Sequence, residues 1–291
     1  MPAFSAPDGT QLAYHVVGEG EPLICLPGGP MRASAYLGDL GGVSKRRRLI
    51  MLDLRGTGDS AVPADPATYR CDRQVEDVEA LRRHLGLERA DFLAHSAAGD
   101  LALLYAARHP ERVRSLVLVT ARARAIGIDF TAEHRREAMD LRAAEPWYAM
   151  ARRAGDAVWA GTAAEADWDA MAPFQYGRWD AAARAHAAAE AEQSNEEAGD
   201  VYASAGAFEP AVTRAAVIAL EVPVLILAGE LDGGPRPRVA RAVAEWFPRA
   251  EVAVQAGTGH YPWVDDPTAF ARTVLAFLDE GIGRGGRKRP R

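Results

Sequence analysis

Cysteine is scarce: Cys25 and Cys71 are the only two in 291 residues, which excludes a disulfide framework as the source of stability. Cys25 lies inside an apolar run, where a thiol behaves as a small hydrophobe, and so little cysteine predicts a reducing, cytoplasmic setting. No uninterrupted apolar run reaches the roughly 18 residues of a membrane span. The opening MPAFSAPDGT also has neither the basic start nor the apolar stretch of a signal peptide, so no membrane partner is expected. Basic residues share no recognisable face, and 34 Lys and Arg against 40 Asp and Glu give a net charge of −6, so nucleic-acid binding has no electrostatic support. The exception is RGGRKRPR at 284–291, which has no apolar partner to pack with and reads as a disordered basic tail. Neither a G-x-G-x-x-G nor a G-x-x-x-x-G-K-[ST] run is present to cradle phosphates. No group of His, Cys and acidic residues has metal-ligand spacing, so neither cofactor nor metal is expected.

What the chain does have is enough apolar material, 48% of its residues, to bury a large core in one domain or in one domain carrying an insertion. Short apolar runs alternate with helical patterns up to residue 121, the signature of an α/β fold with a mostly parallel sheet flanked by helices. QLAYHVVG (11–18) alternates like a hairpin strand at a sheet edge, while EPLICLPG (21–28) and RRLIMLDLRG (47–56) are continuous apolar runs ending in glycine, as buried central strands require. A helix is expected between those two runs, near 34–42. In DRQVEDVEALRRHLGL (72–87), Val75, Val78, Leu81 and Leu85 form one helical stripe that Gly86 can end. Strands follow at 89–94 and 112–121, on either side of a helix from Ala97 to Arg108. Residues 122–216 then turn to alanine, glutamate, arginine and scattered aromatics with no strand-like run, which predicts a helical insertion. The strand pattern resumes at 221–232 and 250–257, with helices at 237–246 and 266–281. The expected organisation is a core of 1–121 and 217–283, a helical cap of 122–216, and the tail.

Ser96 occupies the turn between a short buried strand and an apolar helix in DFLAHSAAGDLALLYAARHP. A hydroxyl at such a strained turn is presented to substrate, as in a nucleophile elbow, and the small Ala94 and Ala98 beside it permit the close strand-to-helix approach. A serine nucleophile needs a base within hydrogen-bond reach and a group to orient that base. His260 in GTGHYPWVDDP and Asp232 in LAGELDGGP both follow predicted strands, at the sheet edge where open α/β folds place their sites, and the order Ser, Asp, His is that of α/β hydrolases. Each has a structural alternative: Ser96 as a helix cap, His260 as a surface turn residue, Asp232 as a turn former before two glycines. Glu230 is the second candidate acid, two residues further inside the sheet. Donors for an oxyanion are expected from the backbone N–H of Ala97, at a helix N-terminus, and of Gly29, in the loop LPGGPM. Asp53 and Arg55 in DLRGTGDS are expected to brace their loop by hydrogen bonds.

With LPGGP, DLRGTGDS, AHSAAG, GELD and GTGHYPWVDDP in order, residues 8–121 and 217–281 resemble the α/β hydrolase superfamily, and within it the proline iminopeptidase branch. The resemblance implies an α/β hydrolase fold with an inserted cap. That branch carries H-G-G-P-G, D-x-R-G-x-G-x-S, G-x-S-x-G-G and G-x-G-H motifs. This chain departs at Pro27, at Met31, and at Ala94 and Ala98 of the elbow. By the same resemblance, cap glutamates hold the free amino terminus of the substrate. Glu190 and Glu197 fall near those positions, with Ala189 and Ala198 in place of neighbouring aromatics. Gly28, Trp179 and Tyr261 complete the substrate-binding candidates.

The leading expectation is a serine hydrolase cleaving an ester or amide of a small-molecule or short-peptide substrate, with an N-terminal proline aminopeptidase as its finer form. A tailoring enzyme performing cyclisation, C–C cleavage or acyl transfer stays open as an alternative. So does a ligand receptor, although receptors need no base and orienting acid.

Overall fold

Strand β5 (Ala90–His95) is buried at every position and has a parallel neighbour on each side, β3 (Glu21–Leu26) and β6 (Val113–Val119). This is the computed structural model of the chain, which describes residues 2–285. With β1 (Ala3–Ser5), β2 (Gln11–Val17), β4 (Arg47–Leu52), β7 (Val224–Gly229) and β8 (Ala250–Gln255), these strands form one sheet in the order β1-β2-β4-β3-β5-β6-β7-β8. β2 runs antiparallel to both neighbours, and every other pairing is parallel. The sequence marks 11–18 as an edge strand, but the three-residue β1 pairs outside it; so short a segment carries no periodic signal.

Period-2 alternation splits each central strand between two cores. Ile24, Phe92, Leu116 and Ile226 join one apolar cluster together with the helices Val75–His84 and Ala98–Arg108. Their neighbours Leu23, Leu93, Val117 and Leu225 join a second cluster with the C-terminal helix Pro267–Gly285. Burial on both faces is why these strands read as unbroken apolar runs. The helix expected near 34–42 is instead two 3₁₀ turns, Ser34–Leu37 and Leu40–Lys45. Gly38, Gly41 and Gly42 adopt φ of 56°, 63° and 95° there, which an α-helix cannot accommodate.

Between β6 and β7 lie the helices Ala132–Asp140, Tyr148–Ala160, Glu165–Met171, Ala181–Ala188, Glu190–Gln193, Glu196–Tyr202 and Pro210–Val217, and no strand. The last of these buries Val217 in the first core cluster. The C-terminal helix reaches Gly285; the rest of the tail at 284–291 lies outside the described residues. Among the described residues no helix is long and apolar enough to cross a membrane.

Buried charges tie the loops to this frame. Asp53 accepts hydrogen bonds from the backbone N–H and hydroxyl of Ser34 and from the N–H of Asp59. Arg55 makes a two-pronged contact with Asp77 at 2.7 and 2.6 Å and reaches Asp8 at 2.7 Å. Arg55 and Asp77 are both almost fully buried, so each depends on the other to offset desolvation. Replacing Arg55 by methionine strands the Asp77 carboxylate and is expected to lower the unfolding free energy by about 3 kcal/mol. Urea denaturation measures this, and Asp77→Leu added to Arg55→Met is expected to recover part of the loss.

Candidate active site

The chain turns from β5 into the helix Ala98–Arg108 through Ser96, whose φ of 52° lies in the left-handed region that non-glycine residues avoid. Hydrogen bonds on both sides hold the turn. The Ser96 N–H donates to the Val119 carbonyl (3.1 Å), and the Ser96 carbonyl accepts from Gly99 and Arg122 (2.9 Å each). Packing leaves no slack: a Cβ on Gly28 would stand 2.6 Å from the His95 carbonyl oxygen and 2.8 Å from the Ser96 Cβ. Gly28 therefore spaces the elbow and does not line the cavity around it, which corrects its expected role as a substrate contact.

The Ser96 Oγ lies 2.9 Å from His260 Nε2, and His260 Nδ1 lies 2.9 Å from Asp232 Oδ2. A carboxylate only accepts, so Nδ1 carries the proton and Nε2 is free to accept from the serine hydroxyl. Asp232 is 3% exposed, and its second oxygen accepts from the Gly234 N–H at 2.8 Å. Glu230 is turned away, its carboxylate accepting from the Gly257 N–H. The insertion supports the histidine loop, since the His260 N–H donates to the Gln175 carbonyl at 2.7 Å. Among the described residues, neither the Gly29 N–H nor the Ala97 N–H donates to a protein acceptor. Both residues line the same cavity as Ser96.

That cavity, of about 350 Å³, is also lined by Arg32 and Tyr261 and, from the segment between β6 and β7, by Phe130, Met139, Trp168, Phe174 and Glu190. Glu190 stands 3.6 Å from Arg32, which is only 1% exposed and also donates to Gln193, the His186 carbonyl and the Tyr261 hydroxyl. Two expected contacts fall outside. Glu197 projects to solvent because its helix turns Ala198 and Tyr202 inward. Trp179 packs against Tyr176 beside the second core cluster. His15 and the loop residues Asp53 and Asp59 bring ligand-type atoms within 4.8 Å of one another, but both Asp53 oxygens already accept backbone or hydroxyl donors.

Residues 21–267 match the alpha/beta hydrolase fold family. This chain is an α/β hydrolase. It is 38% identical over 117 residues to the proline iminopeptidase of Lactobacillus helveticus (strain DPC 4571), a match covering 38% of this chain and 40% of that protein. It is 28% identical over 288 residues to a 2-hydroxymuconate semialdehyde hydrolase of Pseudomonas putida, covering 94% and 92% of the two chains. The solved proline iminopeptidase of Mycobacterium smegmatis superposes with a TM-score of 0.75 at 24% identity, covering 98% of this chain and 100% of the other.

In this α/β hydrolase the first loop has Pro27 where the iminopeptidase motif has histidine, and its brace comes from residues the sequence reading did not single out. The Gly28 N–H donates to the Tyr36 hydroxyl at 2.6 Å, which leaves the hydroxyl proton for His95 Nδ1 at 2.8 Å. His95 Nε2 then donates to the His260 carbonyl at 3.0 Å, and Thr120 Oγ1 donates to the same oxygen at 2.9 Å. Burial, with the nearby His260, pushes the His95 pKa well below its usual value and keeps the ring neutral, as this pattern requires. Only the side-chain identity at 36 and 95 signals this relay; no spacing rule links them. Tyr36→Phe is expected to leave the Gly28 N–H unpartnered and cost about 1–3 kcal/mol, measured by thermal or urea unfolding.

His186, whose ring contacts Tyr176 and the Tyr36 carbonyl, has its pKa lowered to about 4 by burial and by the Arg32 cation. The unfolded chain takes up a proton near its ordinary value of 6.5 while the folded chain resists until about 4. Stability contributed by neutral His186 is therefore lost as pH falls through that window. Unfolding measured between pH 7 and 4 is expected to show a steeper loss for the native chain than for His186→Gln.

Proposed function

We propose that this chain is a serine hydrolase that cleaves an ester or amide bond of a small, partly apolar substrate through an acyl-enzyme. The observation that carries the reading is the hydrogen-bonded sequence Ser96 Oγ, His260 Nε2, His260 Nδ1, Asp232 Oδ2, with 2.9 Å at each contact. Ser96 attacks the carbonyl carbon as His260 takes its proton. His260 then returns that proton to the departing alcohol or amine, and water repeats the sequence to release the acid. Asp232 holds the imidazole in the tautomer the first step needs and stabilises the imidazolium that forms. The Gly29 and Ala97 N–H groups, free of protein acceptors among the described residues, are the donors for the developing oxyanion.

The relatives bear two different names, proline iminopeptidase and 2-hydroxymuconate semialdehyde hydrolase. For the amine of a prolyl substrate the available carboxylate is Glu190, and Arg32 beside it already offsets that charge. Esters are thus the better-matched substrates, and L-proline 4-nitroanilide a poor one. Labelling by a fluorophosphonate probe is expected in the native chain and absent in Ser96→Ala, and labelling that persists in the variant ends the assignment. His260→Ala is expected to lower kcat on 4-nitrophenyl esters by about 10⁴-fold or more.

A further inference from the structure

Two arginines on different segments reach the cavity that holds Ser96. Arg122 follows β6, and Arg135 lies on the helix Ala132–Asp140. Their guanidinium carbons stand 4.5 and 4.9 Å from the ring centre of Phe130, so one aromatic ring orients both. Arg122 gives one nitrogen to Asp129, at 2.9 Å, but its Nε is buried and without a hydrogen-bond partner. Arg135 makes no side-chain hydrogen bond or ion pair among the described residues; its partner is the Phe130 ring.

Every carboxylate lining this cavity is committed elsewhere. Asp232 accepts from His260 and Gly234, and Glu190 sits against Arg32. Arg32, Arg122 and Arg135 therefore face Glu190 and Asp232, and Arg135, which feels Asp129 and Asp232 only at a distance, has no carboxylate in direct contact. Burial first and then the neighbouring Arg122 press the Arg135 pKa downward, and the more distant Asp129 and Asp232 offset only part of this. An unpaired guanidinium beside a second one is costly in the free protein, and an entering anion relieves that cost. The planar fork of arginine suits a carboxylate in particular.

We propose that Arg135 and Arg122 bind a carboxylate of the substrate, so that the preferred substrates are anionic esters or amides and protonated amines are disfavoured. This rests on the reading of Ser96 as nucleophile. It separates this chain from an enzyme that captures a free amino terminus, because the unmatched charge of the cavity has the opposite sign.

Matched substrates test it. On the acyl side, 4-nitrophenyl hydrogen adipate is compared with the neutral 4-nitrophenyl hexanoate and methyl 4-nitrophenyl adipate. On the leaving-group side, 3-acetoxybenzoate is compared with phenyl acetate. The anionic member of at least one set is expected to have a kcat/KM more than tenfold higher, and Arg135→Gln to reduce that ratio about tenfold while Arg135→Lys keeps part of it. Equal kcat/KM in both sets, or a preference that survives Arg135→Gln, overturns the proposal. Fluorophosphonate labelling reads the nucleophile separately. If labelling fails and no ester turns over, adipate binding by calorimetry decides the anion site: binding that Arg135→Gln abolishes supports it, and no binding to the native chain overturns it.

Discussion

The left-handed backbone at Ser96 is the constraint around which the other parts of the site are arranged. A non-glycine residue at positive φ costs of order 1–3 kcal/mol and persists only where its surroundings leave no alternative. Here the surroundings are β6, whose Val119 carbonyl takes the Ser96 N–H, and the Gly99 and Arg122 N–H groups that converge on the Ser96 carbonyl. The same crowding explains the residues nearby. Gly28 cannot carry a Cβ, and a Cβ on Gly99 would meet the Arg122 carbonyl and the Ala121 side chain. Both glycines are spacers for backbone.

One buried, neutral imidazole links three loops to that turn. His95 sits directly before Ser96, accepts a hydrogen bond from the Tyr36 hydroxyl, whose oxygen in turn accepts from the Gly28 N–H, and donates to the His260 carbonyl. The Gly28 loop, the Ser96 turn and the His260 backbone are thereby held at fixed mutual distances. A charged His95 could not accept from Tyr36, so the burial that keeps it neutral also keeps the geometry. The insertion adds a further hold through the Gln175 carbonyl on the His260 N–H.

Charge separates two regions of the cavity. Near Arg32 the network is closed: Glu190, Gln193, Tyr261 and the His186 carbonyl surround the guanidinium. Near Phe130 it is open, with donors on Arg122 and Arg135 that have no acceptor among the described residues. A saturated arginine shapes a wall, whereas an unsaturated one has capacity for a ligand. That contrast inverts the expectation from the iminopeptidase motifs, which places negative charge where substrate binds.

The central strands along the chain, the turn at Ser96 and the candidates Asp232 and His260 were all legible in the chain, because each follows from local patterning. Continuous apolar runs mark strands buried on both faces, and small residues around a serine mark a crowded strand-to-helix turn. Less was legible where glycine conformations replaced the helix expected near 34–42, and where a three-residue edge strand was too short to show a period. The helices between β6 and β7 were the least readable part. These alanine-rich helices carry charged residues on several faces, and which face turns inward depends on packing against the core. So Glu190 reaches the cavity while Glu197 does not, and Arg122 and Arg135, unremarkable in sequence, meet at one ring. The sequence by itself determined the central strands and the candidates Ser96, Asp232 and His260, since strand burial and turn sterics are local demands. Which charges face the cavity was decided only by the tertiary structure, because the orientation of a helix is set by what it packs against.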